Sequence, residues 1–251
     1  VGLFRKAPSS APPGSFEAEA AGLAWLAEAD GASVVAVRGV GSGWIELDRL
    51  EAARPSSDAA RTFGAALART HAAGAPAFGW APGRAPWYIG RQELMCVPTT
   101  SWGAFYAEQR VLPYARRARD RGHLDAGGLT VVEEACALIA SGVLDDDEPP
   151  ARLHGDLWNG NVFWTPAGAV LIDPAAHGGH RETDLAMLQL FSLPFLDEML
   201  AGYEDAAPLR DGWRERVPLH QLHPLAVHAA SHGASYAGPL VRAAGGTLAL
   251  G

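Results

Sequence analysis

The sequence predicts an α+β fold, with a small strand-bearing N-terminal part and a larger, mainly helical C-terminal part. Three observations carry this. The β-branched and apolar runs at 1–7, 33–38 and 44–50 cluster before a boundary at residues 48 and 49. From Ser57 onward, apolar residues recur with helical spacing. Inside that helical region, residues 153–173 switch to two short strands around a Pro-Ala-Gly turn, the pattern of a β-hairpin. A chain of 251 residues can bury one large core or two smaller ones.

In chain order, Val1–Ala7 reads as a strand containing Lys6, followed by a Pro/Ser/Gly linker to Gly14. Ser15 has the chemistry of an N-cap, and Glu17 and Glu19 place negative charge in the first turn of a helix to about Ala29. Leu23, Leu26 and Ala27 form its apolar stripe, and Asp30-Gly31 ends it. Ser33–Arg38 and Trp44–Leu50 read as strands joined by the Gly39–Gly43 turn. That turn links two strands and opens no helix, so it is a weak phosphate-loop signal. Ser57–Ala73 is a helix with Phe63, Leu67 and Thr70/His71 on one face. Pro76–Pro98 reads as a long irregular segment rich in Gly, Pro and Trp. Ser101 caps a helix to about Arg121 that Pro113 should kink, and Thr130–Val143 is a further amphipathic helix. Gly178-Gly179 reads as a flexible turn before a helix through Phe191. A last helix runs from about Leu219, and its histidines (220, 223, 228 and 232) fit packing better than metal binding.

Composition narrows the function. The hydrophobic content of 48 % and charged content of 19 % suit a globular chain. No apolar run reaches membrane-spanning length and no signal-peptide pattern is present. Cys96 and Cys136 are far apart without a CxxC motif, so free thiols in a reducing cytoplasm are expected. A net charge of −8 argues against nucleic-acid binding. Lys6 is the only lysine, so every other one of the 20 cationic residues is arginine. A compact ammonium suits a phosphate where a planar guanidinium does not, although Lys6 also reads as a residue that escaped a compositional bias.

The chemistry concentrates at 153–184. The hairpin brings Asp156, Asn161 and Asp173 within reach of one another, and their oxygen atoms suit Mg²⁺ and phosphate. The spacing Asp-x-x-x-x-Asn, followed by a strand-terminal Asp, matches the base and metal ligands of phosphoryl transfer. Glu19 is either a helix-dipole carboxylate or the partner of Lys6. His154 reads as a loop-bonding histidine. Asp184 reads as a first-turn charge or as a brace accepting backbone N–H groups of the catalytic loop. A metal-dependent hydrolase built on His154, Asp156, Asp173, His177 and Asp184 is a second reading, but it leaves Lys6, Glu19 and Asn161 without work. A nucleotide-binding module that has lost catalysis is a third. The order of lysine strand, glutamate helix, Asp-loop-Asn hairpin and metal Asp favours phosphoryl transfer.

His154-Gly155-Asp156-Leu157-Trp158-x-Gly160-Asn161, Ile172-Asp173-Pro174-Ala175 and His180-Arg181-Glu182-x-Asp184-Leu185-Ala186-Met187 resemble the fructosamine kinase (ketosamine-3-kinase) family. Phe16-x-x-Glu19-Ala20, Phe78-Gly79-Trp80, Tyr88-Ile89-Gly90 and Leu219-x-Gln221-Leu222 extend the resemblance along nearly the whole chain. The HGD-x-x-x-x-N loop alone is also shared with aminoglycoside and choline kinases, which remain the alternative.

The resemblance implies a two-lobed, protein-kinase-like fold and transfer of the ATP γ-phosphate to the C3 hydroxyl of a ketosamine, a protein-deglycation activity. By position, Asp156 would be the base, Asn161 and Asp173 the Mg²⁺ ligands, and Lys6 and Glu19 the ion pair that orients ATP. Glu46, Leu47 and Asp48 would form the adenine hinge, Trp158 a platform for the sugar-amine, and His154 and Asp184 structural supports. Two departures stand out. The family places two strands and a Gly-rich loop before the lysine strand, so a truncated N-terminal lobe with weak ATP binding and low activity is expected. Ala176-His177-Gly178 also stands where the family commonly has tyrosine.

Overall fold

The computed structural model describes residues 2–84 and 86–251. Val1, in the expected first strand, and Ala85, in the expected irregular segment, lie outside them. The strands β1 (Leu3–Lys6), β2 (Val37–Gly41) and β3 (Trp44–Asp48) form an antiparallel sheet in the order β1-β3-β2, with Lys6 opposite Ile45. Strand alternation turns Ile45 and Leu47 toward α1 (Ser15–Ala27), where they pack with Phe16, Leu23 and Val35.

Four local expectations change here. Ser15 is the first helical residue rather than the cap. Gly14 takes that position at φ +80°, and the Ser15 N–H donates to Pro12 O. The buried face of α1 includes Trp25 instead of the exposed Ala27. The expected strand at Ser33–Arg38 starts only at Val37, because Val35 N–H donates to Leu171 O and Leu171 N–H to Ser33 O, docking this segment on the later hairpin. Gly39 and Gly41 are then strand residues beneath the Trp44 indole, leaving Ser42-Gly43 as the turn.

Helix α2 (Ser57–Ala72), capped by Ser56, follows. The expected irregular segment contains a hairpin, β4 (Trp87–Ile89) and β5 (Gln92–Leu94), turning at Gly90-Arg91. Gly90 lies at φ +56°, which glycine adopts without strain. The helix expected over 101–121 is split into α3 (Trp102–Phe105), a π-helical turn (Tyr106–Val111) and α4 (Leu112–Asp120). Pro113 cannot donate to Gln109 O, and the Arg110 guanidinium donates to that carbonyl at 3.3 Å instead. Helix α5 (Ala126–Ala140) starts earlier than periodicity indicated, because the Asp125 carboxylate caps Gly128 N–H at 2.7 Å.

The remaining elements are β6 (Ala151–Leu153), β7 (Val162–Thr165), β8 (Gly168–Leu171), β9 (His177–Gly179), α6 (Arg181–Leu190), α7 (Leu196–Ala206), α8 (Trp213–His232) and α9 (Ala237–Leu248). Gly178 and Gly179 are not a turn. They are buried in β9, which pairs with β6 on either side of the segment that carries Asp156. Helix α8 starts before Leu219 and contains Pro218 and Pro224. Pro224 leaves the carbonyl of His220 without its helical donor, and Tyr106 Oη donates to it at 2.9 Å. A buried tyrosine thus repairs the helix.

Helices α2 and α7 cross closely, because a Cβ on Gly64 would overlap Met199 O and one on Gly202 would overlap Arg61 O. Behind the 154–161 segment this pair supplies Phe63, Leu67, Met199 and Tyr203, which pack with Leu157, Val162 and Leu185. Each such side chain contributes about 1.5–3 kcal/mol on full burial. Among the described residues, no helix is long and apolar enough to cross a membrane.

Candidate active site

The β7–β8 hairpin forms where alternation places it, with Val162 opposite Leu171. It brings three candidate residues together. Asn161 Nδ2 donates to Asp156 O at 2.7 Å and lies 3.3 Å from Asp156 Oδ2 and 3.4 Å from Asp173 O. This leaves the amide oxygen of Asn161 as the atom able to hold a cation. Asp173 sits at φ +53°, a left-handed conformation that Asp tolerates better than most residues and that aims its carboxylate back toward Lys6. Lys6 Nζ donates to Glu19 at 2.9 and 3.0 Å and to Asp173 Oδ1 at 2.6 Å. Burial works against the Lys6 charge, but Glu19 and Asp173 together hold its pKa above the ordinary value.

Lys6 thus faces Glu19 and Asp173, and Asp156 and Asn161 lie in the same cleft, which gathers several hard oxygen donors. That donor set fits Mg²⁺. Burial is the main cause that pushes Asp156 up to about 7. The Asn161 amide opposes the shift, and the charges of Asp173 and Asp184 add to it.

The support beneath the loop is explicit. Asp184 accepts the N–H of His154 at 2.8 Å and of Gly155 at 3.0 Å. His154 accepts Asp156 N–H at Nδ1, and its Nε2–H donates to Ile172 O at 2.9 Å. His177 is likewise committed, with Nδ1 on Ala175 O and Nε2 accepting from Arg110. Neither histidine has a ring nitrogen free to bind a metal, which removes two ligands from the hydrolase arrangement. Within the Ala176-His177-Gly178 stretch, where the family resemblance led to tyrosine being expected, His177 is an internal tie, while Ala176 lines the cavity that holds Asp156.

A second cluster, His180, Glu182 and His220, lies elsewhere and is fully buried. Its atoms are also spent. Arg216 grips Glu182 at 3.0 and 2.5 Å, His180 Nε2 meets Asp146 at 3.1 Å, and His220 Nδ1 meets Thr183 Oγ1 at 3.0 Å.

Two cavities meet at this centre. One, of about 420 Å³, is lined by Val35, Leu47, Leu50, Phe163 and Ile172 and reaches Lys6 and Asp173. The other, of about 370 Å³, also touches Lys6 and Asp173 and contains Asp156, Trp158, Tyr88 and Arg91. Leu47 and Asp48 of the expected hinge line the first cavity, together with Arg49 and Leu50. Glu46 does not. Strand alternation turns its side chain to Arg5 at 3.1 Å on the other side of the sheet. Trp158 is 40 % exposed, and its ring folds over Gly160 and meets Phe191 edge-on at 6.2 Å. Phe191 contacts His228 at 4.7 Å, and His228 contacts Tyr236 at 5.0 Å, which extends an aromatic wall away from Asp156.

The sequence reading did not find this wall or the β4–β5 side of the second cavity. The two-residue Gly90-Arg91 turn between Trp87-Tyr88-Ile89 and Gln92-Glu93-Leu94 was the available signal for the hairpin. The wall had none, because Phe191, just past the end of α6, and His228, on α8, are far apart in sequence.

Comparison with known proteins agrees with this architecture. The fructosamine kinase family profile matches residues 3–245. A relative from Enterococcus faecium named probable ketoamine kinase is 33 % identical over 93 % of this chain and 83 % of its own. One of the same name from Thermus thermophilus is 34 % identical over 97 % and 87 %. A crystal structure from Thermobifida fusca, provisionally named fructosamine-3-kinase, superposes with a TM-score of 0.92 at 49 % identity, covering 98 % of this chain and 85 % of that one. A choline kinase from Streptococcus pneumoniae shares the fold alone, at a TM-score of 0.64 and 15 % identity over 98 % and 86 %. The fold is therefore that of the protein-kinase-like phosphotransferases, and the chain belongs to the fructosamine kinase family, enzymes that transfer phosphate to a hydroxyl group.

Proposed function

We propose that this chain transfers the γ-phosphate of ATP to the C3 hydroxyl of a ketosamine. The observation that carries the reading is the meeting of the two cavities at Lys6 and Asp173, with Asp156 and Trp158 on one side only. The cavity bounded by Leu47, Phe163 and Ile172 suits a flat apolar base, with main-chain groups at 47–50 for its polar edge. This moves the hinge slightly beyond the expected Glu46–Asp48. Lys6, steadied by Glu19, would hold the nucleotide phosphates. Asn161 and Asp173 would hold Mg²⁺, which supplies charge neutralisation for the transferring phosphoryl group.

On the other side, Asp156 accepts the proton of the acceptor hydroxyl while the hydroxyl oxygen forms the new bond to the γ-phosphorus and the bond from that phosphorus to ADP breaks. Trp158 and the rings beside it offer faces to the ammonium of a sugar-amine. The 3-phosphate of such a sugar is labile, so its breakdown frees the amine and the activity amounts to deglycation. The division at residues 48 and 49 belongs to the same reading, since the proposed hinge falls there.

The test is incubation with Mg·ATP and fructosyl- or ribulosyl-lysine, followed by phosphorus NMR for a sugar 3-phosphate. Phosphorylation of choline or an aminoglycoside with no ketosamine product would replace this reading.

Two outcomes follow from the geometry. The base form of Asp156 exists above its pKa of about 7, so kcat/KM for Mg·ATP rises with pH through about 7 and then levels off. A flat profile from about pH 5.5 to 8.5 would remove Asp156 from proton transfer. Trp158→Ala removes a cation–π contact of about 0.5–2 kcal/mol, so the acceptor KM rises roughly 2- to 30-fold while the KM for ATP holds. Steady-state kinetics with each substrate varied would show it.

A further inference from the structure

Helix α1 carries Glu19 and is held on two faces. Phe16 and Leu23 pack against Ile45 and Leu47 of the sheet and against Val35 beside it. The opposite face packs elsewhere. Trp25 and Leu26 join Ala176 and Trp80, and Gly22 lies so close to Pro174 and Ala176 that an added Cβ would come within 3.3 Å of both. One polar side chain closes this second contact. Arg152, on β6 and only two residues before His154, is 12 % exposed, and its guanidinium stacks 4.6 Å from the Trp25 ring. It donates to Trp25 O at the C-terminal end of α1 and to Gly74 O after α2 at 3.3 Å. Trp25 in turn meets Trp80 at 5.0 Å, and Trp80 O accepts the Gly178 N–H of β9 at 2.7 Å.

We propose that Arg152 is a positioning residue that joins the helix bearing Glu19 to the strand feeding the catalytic loop, so that Glu19 and Asp156 keep one spacing whether or not nucleotide is bound. The inference rests on the reading of Lys6 and Glu19 as the pair that orients ATP. The residue type matters. A planar guanidinium stacks on an indole while donating to carbonyls of two segments, and an ammonium does not. Its nearest carboxylate, Glu28 at 3.9 Å, is mostly exposed, so the clamp works through stacking and carbonyls more than through an ion pair.

The test is a double-mutant cycle on the full chain with Mg·ATP and fructosyl-lysine, using Arg152→Ala and Glu19→Gln. Arg152→Ala should lower kcat/KM for Mg·ATP about tenfold and leave the acceptor KM unchanged, and in the Glu19→Gln background it should cost less than about twofold. The same fold-loss in both backgrounds, or an equal loss in acceptor KM, would overturn the inference and leave Arg152 as general packing. If Arg152→Ala does not fold, as judged by a thermal melt, Arg152→Lys serves in the same cycle. It keeps the charge and loses the stack, so the same coupled loss is expected. Glu19→Gln without effect on ATP kinetics would instead defeat the role of the Lys6–Glu19 pair, and the inference with it.

Discussion

Asp156→Asn should reduce kcat by about 10²–10⁴-fold, the range for loss of a positioned base, with little change in either KM. The substitution preserves shape. The donor beneath it, Asn161 Nδ2, bonds mainly to the main-chain oxygen of residue 156 at 2.7 Å, which the mutation leaves in place. Thermal stability should therefore not fall, and a carboxylate pushed up to about 7 by burial is removed from the cleft. Product formation followed by phosphorus NMR, alongside a melting curve, separates the two effects. A variant retaining more than about a tenth of the wild-type rate would mean that positioning and charge alone drive transfer, with no base required.

Asp184→Ala should have the largest effect on stability. Its two oxygens serve the N–H groups of His154 and Gly155 and sit 3.2 Å from His71 Nε2, all buried. His71 is held from the other side by Tyr203 at 2.7 Å, so one carboxylate joins α2, α6, α7 and the loop that carries Asp156. Removing it strands several buried donors, and a loss of about 3–5 kcal/mol is expected from urea unfolding.

The sign of the pH effect follows from the same contacts. Burial by itself would raise the Asp184 pKa, but the His71 hydrogen bond and charge, with help from His154, bring it below the ordinary 3.8. The folded form thus binds its proton less readily than the unfolded form. This contribution is present above about pH 4 and is lost as pH falls through the lowered value. Wild-type stability should decline with acid over that window and the Ala variant should decline less. A loss under about 1 kcal/mol would show that water or rearranged backbone replaces the carboxylate.

The chain in order shows where the sequence was informative. Asp156, Asn161 and Asp173 were legible because a hairpin with period-2 alternation and a defined turn has few ways to fold, and each residue sits next to it. Lys6 and Glu19 were legible only as a possibility. Whether a strand lysine meets a helix glutamate depends on how the helix lies on the sheet, and here it does, at 2.9 Å. Asp184 was readable as either a helix charge or a brace, and the contacts with His154 and Gly155 decide for the brace. Glu46 was expected at the hinge through its main chain, and the direction of its side chain, which pleat alternation turns to Arg5, was not legible from sequence position. Gly178-Gly179 looked like a turn since glycine usually marks one, yet β9 needs glycine there because Ala77 O and Leu153 crowd its Cβ positions.

The sequence by itself determined which reactive groups are present: one lysine, the Asp-loop-Asn hairpin, the strand-terminal Asp and the tryptophan two residues after Asp156. These depend on residue type and short spacing, and local backbone rules act over that range. Tertiary structure alone decided what joins them. The two cavities meeting at Lys6 and Asp173, the aromatic wall from Trp158 to Tyr236 and the Arg152 clamp on α1 all join residues far apart in the chain. Such contacts are set by how helices and strands pack in three dimensions, and no local period records that.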